Sequence, residues 1–172
     1  MENLKYAVLR NVKIIDSTSK YHNQKKDVLI QDGVIKKIDK KIDCKVPFFE
    51  VDIKNLHISP GWIDLHARFG EPGFEYRETI ISGLKSAVKG GFTSVVLMPS
   101  TNPPIETKAD IKFIIEKAKN NIINILPTGC ITKECKQQEI TEMYDMHVNG
   151  AIAFTDDKKN IQNSMLMNIA LE

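Results

Sequence analysis

No stretch of this sequence stays apolar for the roughly 20 residues that a bilayer-crossing helix needs. The opening run MENLKYAVLRNVKIID carries charges inside its apolar stretch, so it does not read as a secretory leader. Neither sign of charge prevails. The 24 Lys and Arg against 22 Asp and Glu leave a net +2, and no basic tract is long enough to hold nucleic acid. Cysteines number three, an odd count without a pairing pattern, which fits a reducing cytoplasm better than a disulfide framework. Cys130 and Cys135 can be imagined as thiolate ligands, but no second Cys or His pair has zinc spacing. Buried or surface thiols are the plainer reading.

What is present is enough for a packed, water-facing chain: 42% hydrophobic and 27% charged residues. A length of 172 residues fits one ordinary domain, or a small domain with part of a larger one. Residues 6–15, 27–38 and 48–53 are rich in Val, Ile and Leu with partial alternation, the mark of half-buried strands. Asp32-Gly33 between VLIQ and VIKKI is a hairpin signal, because Gly tolerates positive φ. KKIDKKID over 36–43 reads as a solvated strand face. Residues 1–55 are therefore expected to form a small β-sandwich-like domain without catalytic groups. His22 reads as solvated and His57 as a packing histidine.

From residue 56 the texture changes to strand and helix in alternation. A first strand is expected over 58–66, with Ile58, Trp62, Ile63 and Leu65 as its apolar body. A helix follows over 78–89, with Ile80, Ile81, Leu84, Ala87 and Val88 inward and Gly90-Gly91 as its stop. TSVVLM (93–98) is the second strand. Thr107 is a good N-cap for a helix burying Ile111, Ile114, Ile115 and Ala118. A third strand starts at NILP (124–127), a helix spans 139–148, and a fourth strand covers 151–154. A last helix, 161–171, should turn Met165, Leu166, Ile169 and Ala170 inward. The fold class is α/β: four βα units, the first half of a (β/α)8 barrel over 56–172. A whole barrel takes about 250 residues, and half of one leaves open edges, so the chain is a fragment or natural truncation, closes by association, or is a short open sheet; the first is expected.

Charged groups gather in LHISPGWIDLHARFGEPG (56–73), where Asp64, His66, Arg68 and Glu71 arrive just as the strand should end. Chemistry in parallel α/β folds sits at the C-terminal ends of strands. This stretch resembles the signature of the dihydroorotases (class I, multifunctional-complex type), in the amidohydrolase superfamily of metal-dependent hydrolases. Three further blocks carry the likeness: ETIISGLKSAVKGGFTSVVLMPSTNPPI, INILPTGCITK and AIAFTDD. The resemblance implies reversible, zinc-dependent hydrolysis of the cyclic amide of dihydroorotate, in de novo pyrimidine synthesis. Dihydroorotate or carbamoyl aspartate would be the substrate, Zn²⁺ the cofactor and the cytoplasm the location. By that resemblance His66 and Asp157 would bind metal, Asp156 would support them, and Asn102 and Ser100 would lie near substrate.

The departures bear on activity. The family pattern Asp-x-His-x-His-x-Arg-Glu-Pro-Gly stands here with Arg68 for its second His and Gly70 for its substrate-binding Arg. Ser100 replaces a substrate-binding Asn. A guanidinium cannot be deprotonated in a protein, so it disfavours a cation where an imidazole should bind one. The family's catalytic Asp and remaining metal-binding His would lie on later strands, so no catalytic residue is assigned. Three arrangements stand open: an Arg68–Asp157 ion pair filling the metal's place, a single metal retained at His66 and Asp157, or no relation in space. Asp64 is expected to bond backbone at the strand end, and Glu71 to fix its loop. Function is then read as a dihydroorotase-family protein with impaired or lost catalysis. The alternatives are a noncatalytic partner of aspartate transcarbamoylase and a nonfunctional truncated product. A homo-oligomer is expected; nucleic acid and membrane are not.

Overall fold

The computed structural model describes residues 5–172. Residues 1–4, where the reading of the N-terminus as no leader begins, lie outside the described residues. The chain divides into two compact units, the first ending at Pro60 and the second beginning at Gly61.

The first unit is one mixed sheet, not the two stacked sheets of a sandwich. Strands β1 (Tyr6–Ile14), β2 (Lys25–Gln31) and β3 (Val34–Asp39) pair antiparallel. The short β4 (Phe49–Val51) and β5 (His57–Ile58) both add in parallel to the free edge of β1. Three- and two-residue strands are too short to build a second layer, so they extend the first. Asp32 and Gly33, both at positive φ, make the expected hairpin turn. Val12, Ile14 and Val28 are buried, with Leu9, Ile30, Ile38, Leu56 and Ile58 packed on them. The register of β1 on β2 shifts between Leu9 and Val12, a bulge at which Asn11 takes positive φ.

The second unit carries a parallel sheet in the order β6-β7-β8-β9, formed by Trp62–Ala67, Phe92–Leu97, Asn124–Gly129 and Ala153–Phe154. Sequential order without a reversal is the order of a barrel wall, not of a doubly wound sheet. The strand expected over 58–66 is two strands, because Pro60-Gly61 interrupts it.

Helix α1 (Ile80–Lys89) begins at a capping box in which Thr79 and Ser82 satisfy each other's amides, and it closes at Gly91 with φ +80°. Helix α2 (Lys108–Ala118) is capped by Thr107, with Asp110 returning the bond. Ile80, Leu84, Ile111 and Ile114 are fully buried between these helices and Val95 and Leu97 of β7. Each such side chain contributes about 2 kcal/mol by leaving water. The buried Thr128 hydroxyl donates to the Leu97 carbonyl, 2.7 Å away, so the core holds no orphaned polar group there.

Three further expectations fail. Trp62, Ile63 and Leu65 are 64%, 57% and 73% exposed, because β6 pairs only with β7 among the described residues and its outer edge is open. Helix α3 is shorter than expected (Met143–Val148): Ile140 bridges to Thr132 and the Thr141 hydroxyl donates to the Cys130 carbonyl, which hold 139–141 as a loop. Helix α4 (Ser164–Leu171) half-buries Leu166 and Ala170 but leaves Met165 and Ile169 exposed.

Candidate functional site

His66 and Arg68 are two residues apart at the end of β6. The period of a strand therefore puts both on one face. Asp64, on the same face, accepts from the His66 amide at 2.9 Å, the backbone role expected of it. Ser100 follows β7 and Asp157 follows β9, so three strand ends converge. Asp157 sits at φ +53°, a left-handed position that Asp tolerates better than most residues, and its amide donates to the Thr155 hydroxyl at 3.0 Å.

The Asp157 carboxylate is fully buried and is gripped by side chains alone. Arg68 donates twice, from Nη2 to Oδ1 at 2.6 Å and from Nε to Oδ2 at 3.0 Å, the two-pronged geometry that suits a guanidinium. The Ser100 hydroxyl donates to Oδ2. His66 Nε2 lies 3.2 Å from Oδ1. Burial pushes the Asp157 carboxyl up, but the Arg68 and Ser100 hydrogen bonds and the Arg68 and His66 charges outweigh it. The group is held below the ordinary carboxylate range and stays ionised. Arg68, hydrogen-bonded to Asp157, is pushed further up.

Of the expected site residues, the structure brings His66, Ser100 and Asp157 together, with Arg68 among them. Asn102 is exposed, and its backbone amide donates to Pro72 at 3.1 Å. Among the described residues its side chain makes no hydrogen bond to that cluster. Asp156 is corrected: it does not support the metal pair but turns away into the loop after β8. There it accepts from the amides of Ile131 and Thr132, both at 2.9 Å, and from the Thr132 hydroxyl. Glu71 does fix its loop, accepting from the Ile80 amide at 2.9 Å and from Lys117. Sequence gave no signal of Lys117, which lies 46 positions away.

Gly70 is also more than a missing arginine. Its carbonyl accepts from Phe74 at 2.6 Å and its amide donates to Glu78 at 2.9 Å, which curls 70–78 tightly around it. A Cβ at this position would run into the Phe74 and Glu78 carbonyls. The loop is built around the absence of a side chain.

Could this donor set take zinc? Of the two candidate ligands within this chain, His66 and Asp157, the carboxylate is already taken: both its oxygens accept hydrogen bonds, three in all. Arg68, the residue beside them, offers a fixed positive charge and no lone pair. The residues present do not fit the metal.

The parallel wall with polar groups at its C-terminal rim has counterparts in fold among solved structures. An L-hydantoinase (dihydropyrimidinase) from Arthrobacter aurescens aligns with a TM-score of 0.66 at 21% identity, over 86% of this chain and 32% of its own. A dihydroorotase crystal structure aligns at 0.62 and 17% identity, over 87% and 42%. Among curated proteins, the dihydroorotase of Aquifex aeolicus is 42% identical over 167 residues, 96% of this chain and 39% of that protein. That of Ruminiclostridium cellulolyticum is 41% identical over 150 residues, 85% and 34%. The chain thus spans well under half the length of these relatives. The family model described as dihydro-orotase-like matches residues 56–172. The chain belongs to the dihydro-orotase-like family.

Proposed function

We propose that this chain is a dihydroorotase-family scaffold in which the zinc-dependent hydrolysis of dihydroorotate's cyclic amide is lost. In this reading Arg68 takes the place of the metal as the counter-charge of Asp157. Metal dependence is general in the family, and a bound zinc would activate the water that attacks the amide. The single observation that carries the reading is the two-pronged Arg68–Asp157 pair, which consumes the carboxylate that a metal would need. Gly70 supports it from the substrate side, since no guanidinium can stand there to hold a carboxylate.

The test is hydrolysis of dihydroorotate, and its reverse from carbamoyl aspartate, by the chain with zinc supplied. The expected result is turnover no higher than that of the Asp157→Asn variant. Turnover that disappears in that variant contradicts the reading.

A second reading has its own support. The exposed Trp62, Ile63 and Leu65 on the open edge of β6 are the kind of surface that the rest of a barrel, or a partner in its place, covers. In that reading the chain is a noncatalytic partner of aspartate transcarbamoylase. Co-purification with that enzyme, with a rise in its activity, is the expected outcome; no association contradicts it.

A further inference from the structure

Outside the Arg68–Asp157 cluster, the second unit holds one concentration of nucleophilic side chains that neither the fold nor the proposed function uses. Cys130 leaves the end of β8 and Cys135 stands in the loop that follows. Their Sγ atoms lie 2.7 Å apart, with Cys130 fully buried and Cys135 6% exposed. Two sulfurs that share no bond do not ordinarily approach so closely. Moving about 0.7 Å nearer would bring them to the roughly 2.0 Å of a disulfide bond.

The loop carrying them is anchored on every side. Cys130 donates its amide to Ile105 at 2.7 Å, and its carbonyl accepts from Thr141 at 2.7 Å. The Cys135 amide donates to Thr132 at 2.9 Å, and Lys159 donates to the Cys135 carbonyl at 2.8 Å. Glu134 and Cys135 sit at positive φ, as does Gln137 just beyond them, so the segment that ends at Cys135 is wound back on itself. That winding returns one thiol to the other.

We propose that Cys130 and Cys135 are a reversible oxidation site, a dithiol that closes to an intramolecular disulfide under a hydroperoxide. Cys135 is the attacking thiol, because it is the less deeply buried of the two and the Cys130 S–H bond holds its own proton affinity down. Its thiolate attacks a peroxide oxygen and the O–O bond breaks. Cys135 becomes a sulfenic acid, and the departing hydroxide takes a proton to become water. The Cys130 sulfur then attacks the Cys135 sulfur, the S–O bond breaks and a second water leaves. Two thiols lose two electrons, and one hydrogen peroxide becomes two waters. A small dithiol reverses the step by exchange.

A metal is the competing occupant, since Asp156 brings an oxygen within 4.8 Å of both sulfurs. The geometry disfavours it. Two thiolates on one tetrahedral zinc stand about 3.8 Å apart, given Zn–S bonds of about 2.3 Å, so the pair would have to open. Asp156 already spends both oxygens on Ile131 and Thr132. The same bonds tie the cysteine loop to the residue next to Asp157, so oxidation acts one position from the strand-end cluster. The proposal does not depend on whether that cluster is catalytic.

The experiment treats the whole reduced chain with hydrogen peroxide, denatures it, alkylates free thiols and maps the peptides by mass. Before treatment all three cysteines alkylate. Afterwards only Cys44 is expected to, the protein is lighter by two hydrogen atoms, and dithiothreitol restores all three. Cys130→Ser should leave a sulfenic acid on Cys135 that dimedone traps. The parent decides the matter even if that variant does not fold. Three alkylatable thiols after peroxide, a bridge to Cys44 or to a second chain, or stoichiometric zinc that protects both thiols and is lost in Cys135→Ser would each overturn the proposal.

Discussion

Both units bury an aspartate against an arginine, and the partners of the two carboxylates differ in kind. In the first unit Asp27 accepts from Arg10 at 2.7 Å and also from the backbone amides of Asn11 and Ile42, at 2.9 and 3.1 Å. It gathers the β1 bulge and the chain after β3 onto one carboxylate. Asp157, in the second unit, accepts only from side chains, those of Arg68 and Ser100, with His66 beside it. A carboxylate bonded to main chain is part of the fold, because removing it strands amides that cannot move away. One bonded only to side chains on three strand ends belongs to a site, and can change partners without unmaking the sheet. Asp156 and Asp157 repeat the contrast in adjacent positions.

The largest effect that would test this contrast is Asp27→Ala, which leaves the Asn11 and Ile42 amides unmatched and takes from Arg10 one of its two carboxylate partners, Glu50 remaining. A loss of about 3 kcal/mol is expected in denaturant unfolding. Next comes Gly70→Arg, which puts back the guanidinium that the resemblance assigns to substrate. The curled 70–78 loop cannot admit it, so about 1–3 kcal/mol should be lost without any gain in binding dihydroorotate. Asp157→Ala should cost less than half as much as Asp27→Ala, because the half-exposed Arg68 and His66 that it abandons can turn to water.

The smallest effect is in the acid limb. Burial raises the Asp27 carboxyl, but the Asn11 amide, Arg10 and the Ile42 amide outweigh it, and it lies below the usual range. Its contribution is therefore fully present above the unfolded value of about 3.9 and is lost as pH falls through the lower folded one. Asp27→Asn should flatten the decline in stability between about pH 5 and pH 2, measured by urea unfolding at each pH.

Much of this was legible in the sequence. Strand order, the Thr107 cap and the Asp32-Gly33 turn follow from periodicity and turn chemistry; only the family resemblance set His66 beside Asp157, with no relation in space left as an open alternative. The exposure of Trp62, Ile63 and Leu65 was not legible. An apolar run says that a strand can be buried, but pairing decides whether its edge is covered. Nor was the character of Gly70 legible: a missing side chain reads as a loss until the Phe74 carbonyl is seen in its place. Asp156 and Asp157 are the same letter twice, and only the backbone sends one into the loop and the other to the strand ends.

Zinc titration by calorimetry tests the central claim most directly, run on the parent chain and on Arg68→His. The parent is expected to hold no zinc that depends on His66 and Asp157, and Arg68→His, which restores a second imidazole, is expected to bind one ion. Stoichiometric zinc in the parent that vanishes in both His66→Ala and Asp157→Asn would contradict the claim that Arg68 stands in for the metal.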